Sequence, residues 1–248
     1  MLFIKLIKII FWMATKGKRL KLARKYEKQN NIEARDKIVN ENVPVWARYV
    51  LEQCPADVTV IGAEKVPKDE AVCFIANHQG NMDIPVLLGY INKPMAFVAK
   101  IELAKIPFIS PWMRLMGCTF IDRKSPRASV KAMHDAADGL KNGYSQMIFP
   151  EGTRSRGGAH REFKAGSFKL AYMAQATIVP ITIDGTWRLL EEKGKFSKGK
   201  VTLTVHDPIV TKGLSKEEMA SLPAKVEQIC CSPLPPPIEL EDKKHGLL

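Results

Sequence analysis

The sequence contains few cysteines, and their positions do not suit a metal site or a disulfide framework. Five occur in 248 residues, at Cys54, Cys73, Cys118, Cys230 and Cys231. Zinc sites and disulfide scaffolds need closely spaced cysteine pairs such as C-x-x-C, and the sequence has none. We therefore expect no metal ion, and the odd, scattered count fits a reducing compartment better than a secreted protein.

Also lacking is an apolar run long enough to cross a membrane. Residues 1–14 are strongly apolar, but Lys5 and Lys8 interrupt them, whereas a bilayer span needs about 20 apolar residues. The same lysines break the apolar stretch that a signal peptide requires. A helix lying in the membrane interface fits better, with both lysines on one face and Trp12 at the headgroup boundary. The alternative is a core helix whose lysines extend outward to water.

Acidic residues are missing from the start of the chain. Eight basic residues precede the first acidic one, Glu27, and the net charge is +12. Such an excess implies an anionic partner, which would be nucleic acid, a membrane surface or a phosphorylated substrate. The sequence has no helix-turn-helix, RRM or zinc-finger pattern. We therefore expect no nucleic acid but an anionic lipid surface, at the cytoplasmic face of a membrane (the inner membrane in a bacterium).

From residue 58 onward, short apolar runs alternate with helical stretches. Predicted strands cover residues 58–62, 71–76, 96–99, 118–122, 145–149, 178–183 and 200–205, and predicted helices cover 84–88, 129–141 and 164–175. Alternation of this kind is typical of an α/β sheet with substantial parallel pairing. The predicted fold class is α/β, with a mixed, largely parallel sheet flanked by helices.

Two further regions flank this α/β domain, which we place at residues 55–231. Residues 1–54 are predicted to form a membrane-associated helical hairpin, whose second helix starts near residue 18 and is broken near Pro44. A last helix opens at a capping box that begins with Ser215, although Pro223 lies within it. Clustered prolines and a charged terminus indicate a flexible tail over residues 232–248.

A histidine and an aspartate follow the predicted strand 71–76. His78 and Asp83 lie five positions apart, where a loop enters a helix. Functional groups in open α/β sheets collect at such carboxyl ends of strands. His78 is a candidate general base, and Asp83 would accept the other ring N–H and stabilise the imidazolium. Taken singly, such an aspartate is more often a helix N-cap than a catalytic group, and such a histidine more often an ordinary turn residue.

A second polar segment follows the predicted strand 145–149. Its residues are Glu151, Gly152, Thr153 and Arg154, which supply an acid, a turn glycine and an arginine that suits a phosphate. An ion-pairing arginine beside a turn glycine is the purely structural interpretation. Because both segments end strands and carry polar groups that a mere connection does not require, we expect them to form one site.

The sequence offers no nucleophile of its own for this site. No serine or cysteine lies in an elbow such as G-x-S-x-G, and Cys73 falls within a predicted strand. A His-Asp pair without a protein nucleophile indicates direct attack by a substrate hydroxyl. The predicted chemistry is therefore transfer to an acceptor, without a covalent enzyme intermediate.

These segments resemble the motifs of the glycerolipid acyltransferase family. Asn77, His78 and Asp83 match its N-H-x-x-x-x-D motif, and residues 149–155 match F-P-E-G-T-R-S without substitution. Residues 117–123 resemble a second block of the family, with matches at Gly117, Phe120, Ile121 and Arg123. Residues 179–181 match its V-P-I strand. Residues 100–103, followed by Pro107, resemble the segment between the first two motifs. The resemblance covers residues 71–184 in family order.

The resemblance implies an acyl transfer to a lipid acceptor. His78 would deprotonate the 2-hydroxyl of a lysophosphatidate, which would attack the thioester of acyl-CoA or acyl-acyl carrier protein to give phosphatidate. Asp83 would orient the base. The implied partners are this acceptor, the acyl thioester donor and an anionic membrane, with no cofactor beyond the donor itself.

The resemblance also assigns the substrate-binding residues. Arg123, Arg154 and Lys100 would hold the acceptor phosphate, and backbone N–H groups of the loop at Gly152 and Thr153 would bind the phosphate or the developing oxyanion. For Glu151, three roles stay open: pairing with an arginine, shaping the loop, or binding acceptor hydroxyls.

Other functions remain as alternatives to this one. The same chemistry would serve glycerol 3-phosphate, a lysophospholipid or a lyso-aminolipid as acceptor. Outside this class, the basic chain would be a nucleic-acid-binding protein or a non-catalytic membrane adaptor. The adaptor hypothesis leaves the two polar segments unexplained.

Overall fold

The computed structural model describes residues 2–237. The helices are α1 Leu2–Thr15, α2 Gly17–Lys28, α3 Ile32–Gln53, α4 Asp83–Tyr90, α5 Ile109–Leu115, α6 Pro126–Lys141, α7 Lys169–Ala174 and α8 Lys216–Cys231. The strands are β1 Ala56–Ile61, β2 Cys73–Ala76, β3 Ala96–Lys100, β4 Thr119–Ile121, β5 Gln146–Ile148, β6 Ile178–Asp184 and β7 Gly199–Val205. Short 3₁₀ turns cover Ala63–Lys65, Ile101–Lys105, Ala165–Phe168 and Thr186–Leu189.

The strands form one sheet in the order β1-β7-β6-β2-β5-β3-β4. β6 and β7 run antiparallel, and the other neighbouring strands pair in parallel. Parallel neighbours need crossover connections, which α4, α5, α6 and α7 supply in turn between β2 and β6. The predicted α/β class, with a mixed and largely parallel sheet flanked by helices, is confirmed.

This topology brings the ends of five adjacent strands to one edge of the sheet. β6, β2, β5, β3 and β4 lie side by side and point the same way, about 4.8 Å apart from one strand to the next. His78 follows β2, Glu151 follows β5, Arg123 follows β4, and Lys100 ends β3. The sheet therefore collects the predicted site residues along its carboxyl edge.

The core lies on both faces of the sheet, as the sequence of β2 illustrates. Successive strand residues point to opposite faces. Phe74 packs into the layer formed with α3 and α4, whereas Ile75 packs into the layer formed with α6, α7 and α8. Because β2 is covered on both sides, all four of its residues are buried and apolar, and the strand gives the site a rigid base.

The N-terminal helices differ from the prediction in where they break. The chain turns between α2 and α3 at residues 29–31, where the Asn31 side chain caps α3 by accepting the Ala34 N–H. α3 continues through Pro44, so the predicted break there is wrong. A proline inside a helix costs about 3 kcal/mol, but Val43 and Ala47 beside it are buried against the core, and this packing keeps the helix continuous.

Helix α1 packs across α3, which agrees with the prediction that the chain folds back on its first helix. Trp12 stacks on Tyr49 with 5.5 Å between ring centroids, and the Lys5 ammonium donates to the Gln53 carbonyl at the end of α3. In the described part of the chain, no helix has both the length and the apolar character needed to cross a bilayer.

Smaller differences concern the bounds of elements. The predicted helix over 164–175 is a 3₁₀ turn followed by α7, and α5 had no counterpart in the prediction. α8 has its capping box, with Ser215 accepting from the Glu218 N–H and the Glu218 carboxylate accepting from the Ser215 N–H. Helix α8 runs through Pro223. The predicted tail lies outside the described residues from residue 238 onward.

Candidate active site

His78 and Asp83 meet at the carboxyl edge of the sheet, as predicted. The His78 Nδ1 and Asp83 Oδ2 atoms are 2.6 Å apart. Since a carboxylate only accepts hydrogen bonds, Nδ1 carries the proton and Nε2 of the neutral ring keeps its lone pair. The His78 side chain is 19% exposed and that of Asp83 is not exposed at all. A substrate can therefore reach the imidazole, while the carboxylate stays behind it.

The Asp83 carboxylate is held by four hydrogen bonds. Besides His78, Oδ2 accepts from the backbone N–H groups of Gln79 at 2.8 Å and Gly80 at 3.1 Å. Oδ1 accepts from the hydroxyl of Thr186, a fully buried residue that follows β6. Burying a carboxylate is costly unless its oxygens are satisfied in this way. Asp83 is the first residue of α4, and Met82, not Asp83, occupies the N-cap position.

The loop that carries His78 is tied to the end of β6. The Asn77 side-chain amide donates to the Ile183 carbonyl at 2.8 Å and accepts the Ile183 N–H at 2.7 Å. The Gln79 amide oxygen accepts the Gly185 N–H at 2.8 Å. Asn77 thus imitates a backbone unit and extends the pairing of β2 with β6. These contacts fix the loop before any substrate arrives.

The segment after β5 packs directly on the His78 loop. The His78 imidazole stacks on the Phe149 ring with 4.1 Å between centroids and 14° between planes. The Ser155 N–H donates to the His78 carbonyl at 2.8 Å, and the Arg156 N–H to the Gln79 carbonyl at 3.0 Å. The two sequence motifs therefore form one continuous structure, as the sequence predicts.

The buried Glu151 carboxylate holds the two loops together by hydrogen bonds. The residue is 1% exposed, and its two oxygens accept the backbone N–H groups of His78 at 2.6 Å and Arg161 at 3.0 Å. Burial raises the pKa of the Glu151 carboxyl, and the two N–H donors act in the opposite direction. Of the three roles left open for Glu151, these contacts correspond to shaping the loop.

A glycine turn brings cations together beside the imidazole. The Gly152 N–H donates to the Phe149 carbonyl at 3.1 Å, and Gly152 has φ +70°, a conformation that favours glycine. Arg123 donates to the Gly152 carbonyl. A Cβ at Gly152 would lie 3.1 Å from the Lys164 Nζ and 3.9 Å from the Arg123 Nη1. The turn is therefore flanked by two cations, of which Lys164 was not predicted.

Arg154 extends from the same loop towards a carboxylate. Its Nη1 lies 3.4 Å from Oε1 of Glu191, and the side chains are 18% and 7% exposed. Glu191 belongs to the connection between β6 and β7, and sequence reasoning did not find it. This contact is longer than the charge-assisted hydrogen bonds of about 2.7–2.9 Å that are usual between such groups, so it is an ion pair with only a weak hydrogen bond.

The remaining predicted residues lie on the same edge with fewer contacts. Lys100 is exposed at the end of β3, and Thr153 is half-buried between Gly152 and Arg154. In residues 2–237, the N–H groups of Thr153 and Arg154 have no protein acceptor. Two backbone donors are thus available beside the cations, where an anion would bind.

The cysteines do not supply a nucleophile. Burial raises the pKa of all five thiols, to about 11 for Cys54 and to about 12 for Cys73, Cys118 and Cys231, with that of Cys230 raised as well. A thiol with so high a pKa is protonated near neutral pH, and only the thiolate attacks readily. This agrees with attack by a substrate hydroxyl.

Thr186, Glu191 and Lys164 were not predicted from the sequence, although Thr186 had a local signal. Thr186 follows Gly185, which has φ +96° and comes directly after β6. A turn glycine after the V-P-I strand thus marks another loop at the same edge. Glu191 and Lys164 lie in stretches that are rich in charged residues. Nothing in their immediate sequence separates them from surface charges.

Comparison with known proteins identifies the family to which this chain belongs. A family model described as Acyltransferase matches residues 57–184, just over half of the chain. The matched region includes the loops that carry His78, Arg123 and Arg154, and it ends with β6.

Individual relatives carry related names. The chain is 37% identical over 149 residues to a probable 1-acyl-sn-glycerol-3-phosphate acyltransferase of Mycoplasma pneumoniae, covering 58% of this chain and 55% of the relative. It is 35% identical over 166 residues to the 1-acyl-sn-glycerol-3-phosphate acyltransferase of Borreliella burgdorferi, covering 66% of each. The aligned regions thus span between half and two thirds of these relatives.

One solved structure matches over nearly the whole chain. It is the crystal structure of the 1-acyl-sn-glycerophosphate (LPA) acyltransferase PlsC from Thermotoga maritima, with 36% sequence identity and a TM-score of 0.77. The match covers 93% of this chain and 90% of that one. Because the motifs, the family model and the fold agree, the resemblance predicted from the sequence is confirmed, and the chain belongs to the Acyltransferase family.

Proposed function

We propose that this chain transfers an acyl group to the sn-2 hydroxyl of a 1-acylglycerol 3-phosphate, giving phosphatidate in phospholipid biosynthesis. The donor is an acyl thioester, either acyl-CoA or acyl-acyl carrier protein. The observation that carries the proposal is the 2.6 Å contact between His78 Nδ1 and Asp83 Oδ2 beside a cationic turn. The names of the relatives support the choice of acceptor.

The reaction needs one proton transfer in each direction. His78 takes the proton of the acceptor hydroxyl at Nε2 while the oxygen attacks the thioester carbonyl. The new C–O bond forms, the C–S bond breaks, and the departing thiolate takes the proton back from the imidazolium. Asp83 stabilises the imidazolium between these steps and holds the ring in the correct tautomer.

The acceptor phosphate binds at the cationic turn. Arg123 and Arg154 present planar forks that match phosphate oxygens, and Lys100 and Lys164 add positive charge. The backbone N–H of Thr153 lies in the same loop and serves either the phosphate or the oxyanion of the tetrahedral intermediate. Fixing the phosphate in this way places the 2-hydroxyl against the imidazole, and such positioning supplies much of a rate enhancement.

Helix α1 attaches the enzyme to the cytoplasmic face of a membrane in this proposal. Six of its exposed side chains are large and apolar: Phe3, Ile4, Leu6, Ile7, Ile10 and Phe11. A helix with such a face, followed by the basic helix α2, fits the interface of an anionic bilayer. Attachment there would bring the site to a lipid acceptor without a membrane span.

A transfer assay with purified protein tests the function. Radiolabelled acyl-CoA and acyl-acyl carrier protein are offered with lysophosphatidate, glycerol 3-phosphate, a lysophospholipid or a lyso-aminolipid, and we expect phosphatidate from lysophosphatidate. His78→Ala should lower kcat by about 10²-fold or more, as expected for loss of a general base. Lysophosphatidate should still bind to this variant.

The control for that variant is His134→Ala, which removes an exposed histidine on α6 and should leave turnover as it is. Turnover of His78→Ala within tenfold of the unsubstituted enzyme would show that another group is the base. If another acceptor is used in preference, the chemistry would stand and the assigned substrate would be wrong.

A further inference from the structure

Glu191 reaches from the β6–β7 connection into the site. It lies just after the 3₁₀ turn Thr186–Leu189, and its side chain is 7% exposed. Its Oε1 accepts the backbone N–H of Asn81 at 2.7 Å. Asn81 belongs to the loop between His78 and Asp83, so this carboxylate contacts the loop that carries the base.

The same oxygen also contacts the arginine of the second loop. The Arg154 Nη1 is 3.4 Å from Oε1 of Glu191. Within residues 2–237, the Arg154 guanidinium has no other side-chain hydrogen-bond partner. One carboxylate oxygen thus bridges the loop after β2 and the arginine after β5, and it sets the direction in which the remaining N–H groups of Arg154 point.

The other oxygen of Glu191 is closely surrounded but has no hydrogen-bond partner. Oε2 is buried, with no hydrogen-bond partner in the described residues. It lies against Gly80, where an added Cβ would come within 2.5 Å of it. Burial raises the pKa of this carboxyl, the negative charge of Asp83 raises it further, and the contacts with Asn81 and Arg154 lower it. The surroundings therefore fit the length of the side chain closely while disfavouring its charge.

We propose that Glu191 is a positioning residue for the acceptor, which holds the Arg154 guanidinium towards the phosphate by its length and its single bridging oxygen. This inference rests on the function proposed above. Neither Glu191 nor the β6–β7 connection beyond residue 184 falls within the matched family region. The contact would make acceptor affinity depend on a residue outside the sequence motifs.

Length and charge can be separated by two substitutions. Glu191→Asp keeps the charge but shortens the side chain by one C–C bond of about 1.5 Å, so the carboxylate no longer spans both loops. Glu191→Gln keeps the length and an acceptor oxygen for Asn81 and Arg154, and it places a neutral amide where the unpaired oxygen lies. Positioning therefore predicts that the substitution that conserves the charge is the more damaging one.

The experiment measures the dissociation constant of lysophosphatidate without acyl donor, by calorimetry in detergent micelles. We expect binding about fivefold weaker for Glu191→Asp and Glu191→Ala, because the ligand must then order the long Arg154 side chain itself. Glu191→Gln should weaken binding by about twofold. In an Arg154→Ala background, the dissociation constants of all three Glu191 variants should lie within about twofold of that of Arg154→Ala alone. The reason is that the residue through which Glu191 acts is then absent.

The control is Glu192→Asp, which changes the adjacent and more exposed carboxylate and should leave the dissociation constant as it is. Equal losses for Glu191→Asp and Glu191→Gln, an unaffected Glu191→Asp, or equal losses with and without Arg154 would each overturn the inference. If Glu191→Ala does not fold by circular dichroism, the Asp–Gln comparison alone decides. Failure of the unsubstituted enzyme to bind lysophosphatidate would instead contradict the proposed function, and the inference with it.

Discussion

At the scale of single residues, the proposed base depends on a hydroxyl from a distant part of the chain. Thr186 is fully buried and donates to Oδ1 of Asp83, 103 residues away in sequence. Oδ2 of the same carboxylate is occupied by His78 and by two backbone N–H groups. Thr186 is thus the one side chain that holds the far oxygen, among the residues that the structure describes. It fixes the rotation of the carboxylate and, through it, the direction of the imidazole.

Removing this hydroxyl should slow the reaction without changing acceptor affinity. Thr186→Val keeps the shape of the side chain but leaves Oδ1 of Asp83 buried and unpaired, which costs about 1–3 kcal/mol. If most of this appears in the transition state, kcat falls by about tenfold, while the Michaelis constant for lysophosphatidate stays the same. Steady-state kinetics with both substrates varied measures the two constants separately.

Thr186→Ser is the matched variant, because it keeps the hydroxyl and loses only a methyl group. It should retain most of kcat. Equal losses of kcat in the Val and Ser variants would show that packing around residue 186, and not the hydrogen bond, supports the base. A loss confined to the Michaelis constant would place Thr186 with the acceptor site.

The sequence predicts the residues of this site only where they are local. His78 and Asp83 share one loop, and Arg154 lies three positions after Glu151, so short motifs reveal them. The contacts of Thr186 with Asp83 and of Glu191 with Asn81 join residues more than 100 positions apart. They depend on how β6 lies beside β2 and on the path of the next connection. A linear pattern contains neither.

At the scale of elements, strands were predicted more reliably than helix breaks. β2 and the first four residues of β6 are buried on both faces and therefore appear in the sequence as continuous apolar runs, which is typical of parallel sheets. The break assigned to Pro44 was wrong because burial of one face of α3 outweighs the lost hydrogen bond. The short helix α5 has too few residues for a recognisable periodicity. Local rules thus fail where tertiary packing decides.

The exposed face of α1 is the element on which the proposed membrane attachment depends. Ile9 and Met13 are buried on one side, while Phe3 is 73% and Phe11 71% exposed on the other. Lys5 bonds to the end of α3, whereas Lys8 is exposed. The helix is therefore held to the protein by one face and presents apolar rings on the other.

Substituting both rings should weaken attachment and leave the fold intact. Burying a phenylalanine side chain in an apolar medium contributes about 1.5–3 kcal/mol, so Phe3→Ser with Phe11→Ser should lower affinity for phospholipid vesicles by at least about tenfold. Cosedimentation with vesicles measures the affinity, and thermal unfolding checks the fold. Val210→Ser, at another exposed apolar residue, is the control. Unchanged sedimentation of the double variant would remove α1 as the attachment site.

At the scale of the whole molecule, charge and apolar surface act at the same end of the chain. The net charge is +12. Helix α2, which follows the apolar face of α1, exposes six cations: Lys18, Arg19, Lys21, Arg24, Lys25 and Lys28. Of these, Arg19 lies 3.7 Å from Glu41 in an exposed pair, which contributes little. The basic helix should therefore act mainly on external anions.

This arrangement predicts that attachment has a part that depends on salt and a part that does not. Each basic residue near an anionic bilayer contributes about 1 kcal/mol at moderate ionic strength, and the Debye length falls from about 10 Å at 0.1 M salt to about 3 Å at 1 M. Raising salt from 0.1 to 1 M should therefore lower affinity for vesicles rich in anionic lipid by at least about tenfold, and should change affinity for zwitterionic vesicles by less than twofold. For the Phe3→Ser, Phe11→Ser double variant, the ratio of vesicle affinities at low and high salt should be the same as for the unsubstituted protein, because the variant loses only apolar contacts. If salt has the same effect on both kinds of vesicle, the basic helix does not face the lipid, and the apolar face of α1 alone would have to account for attachment.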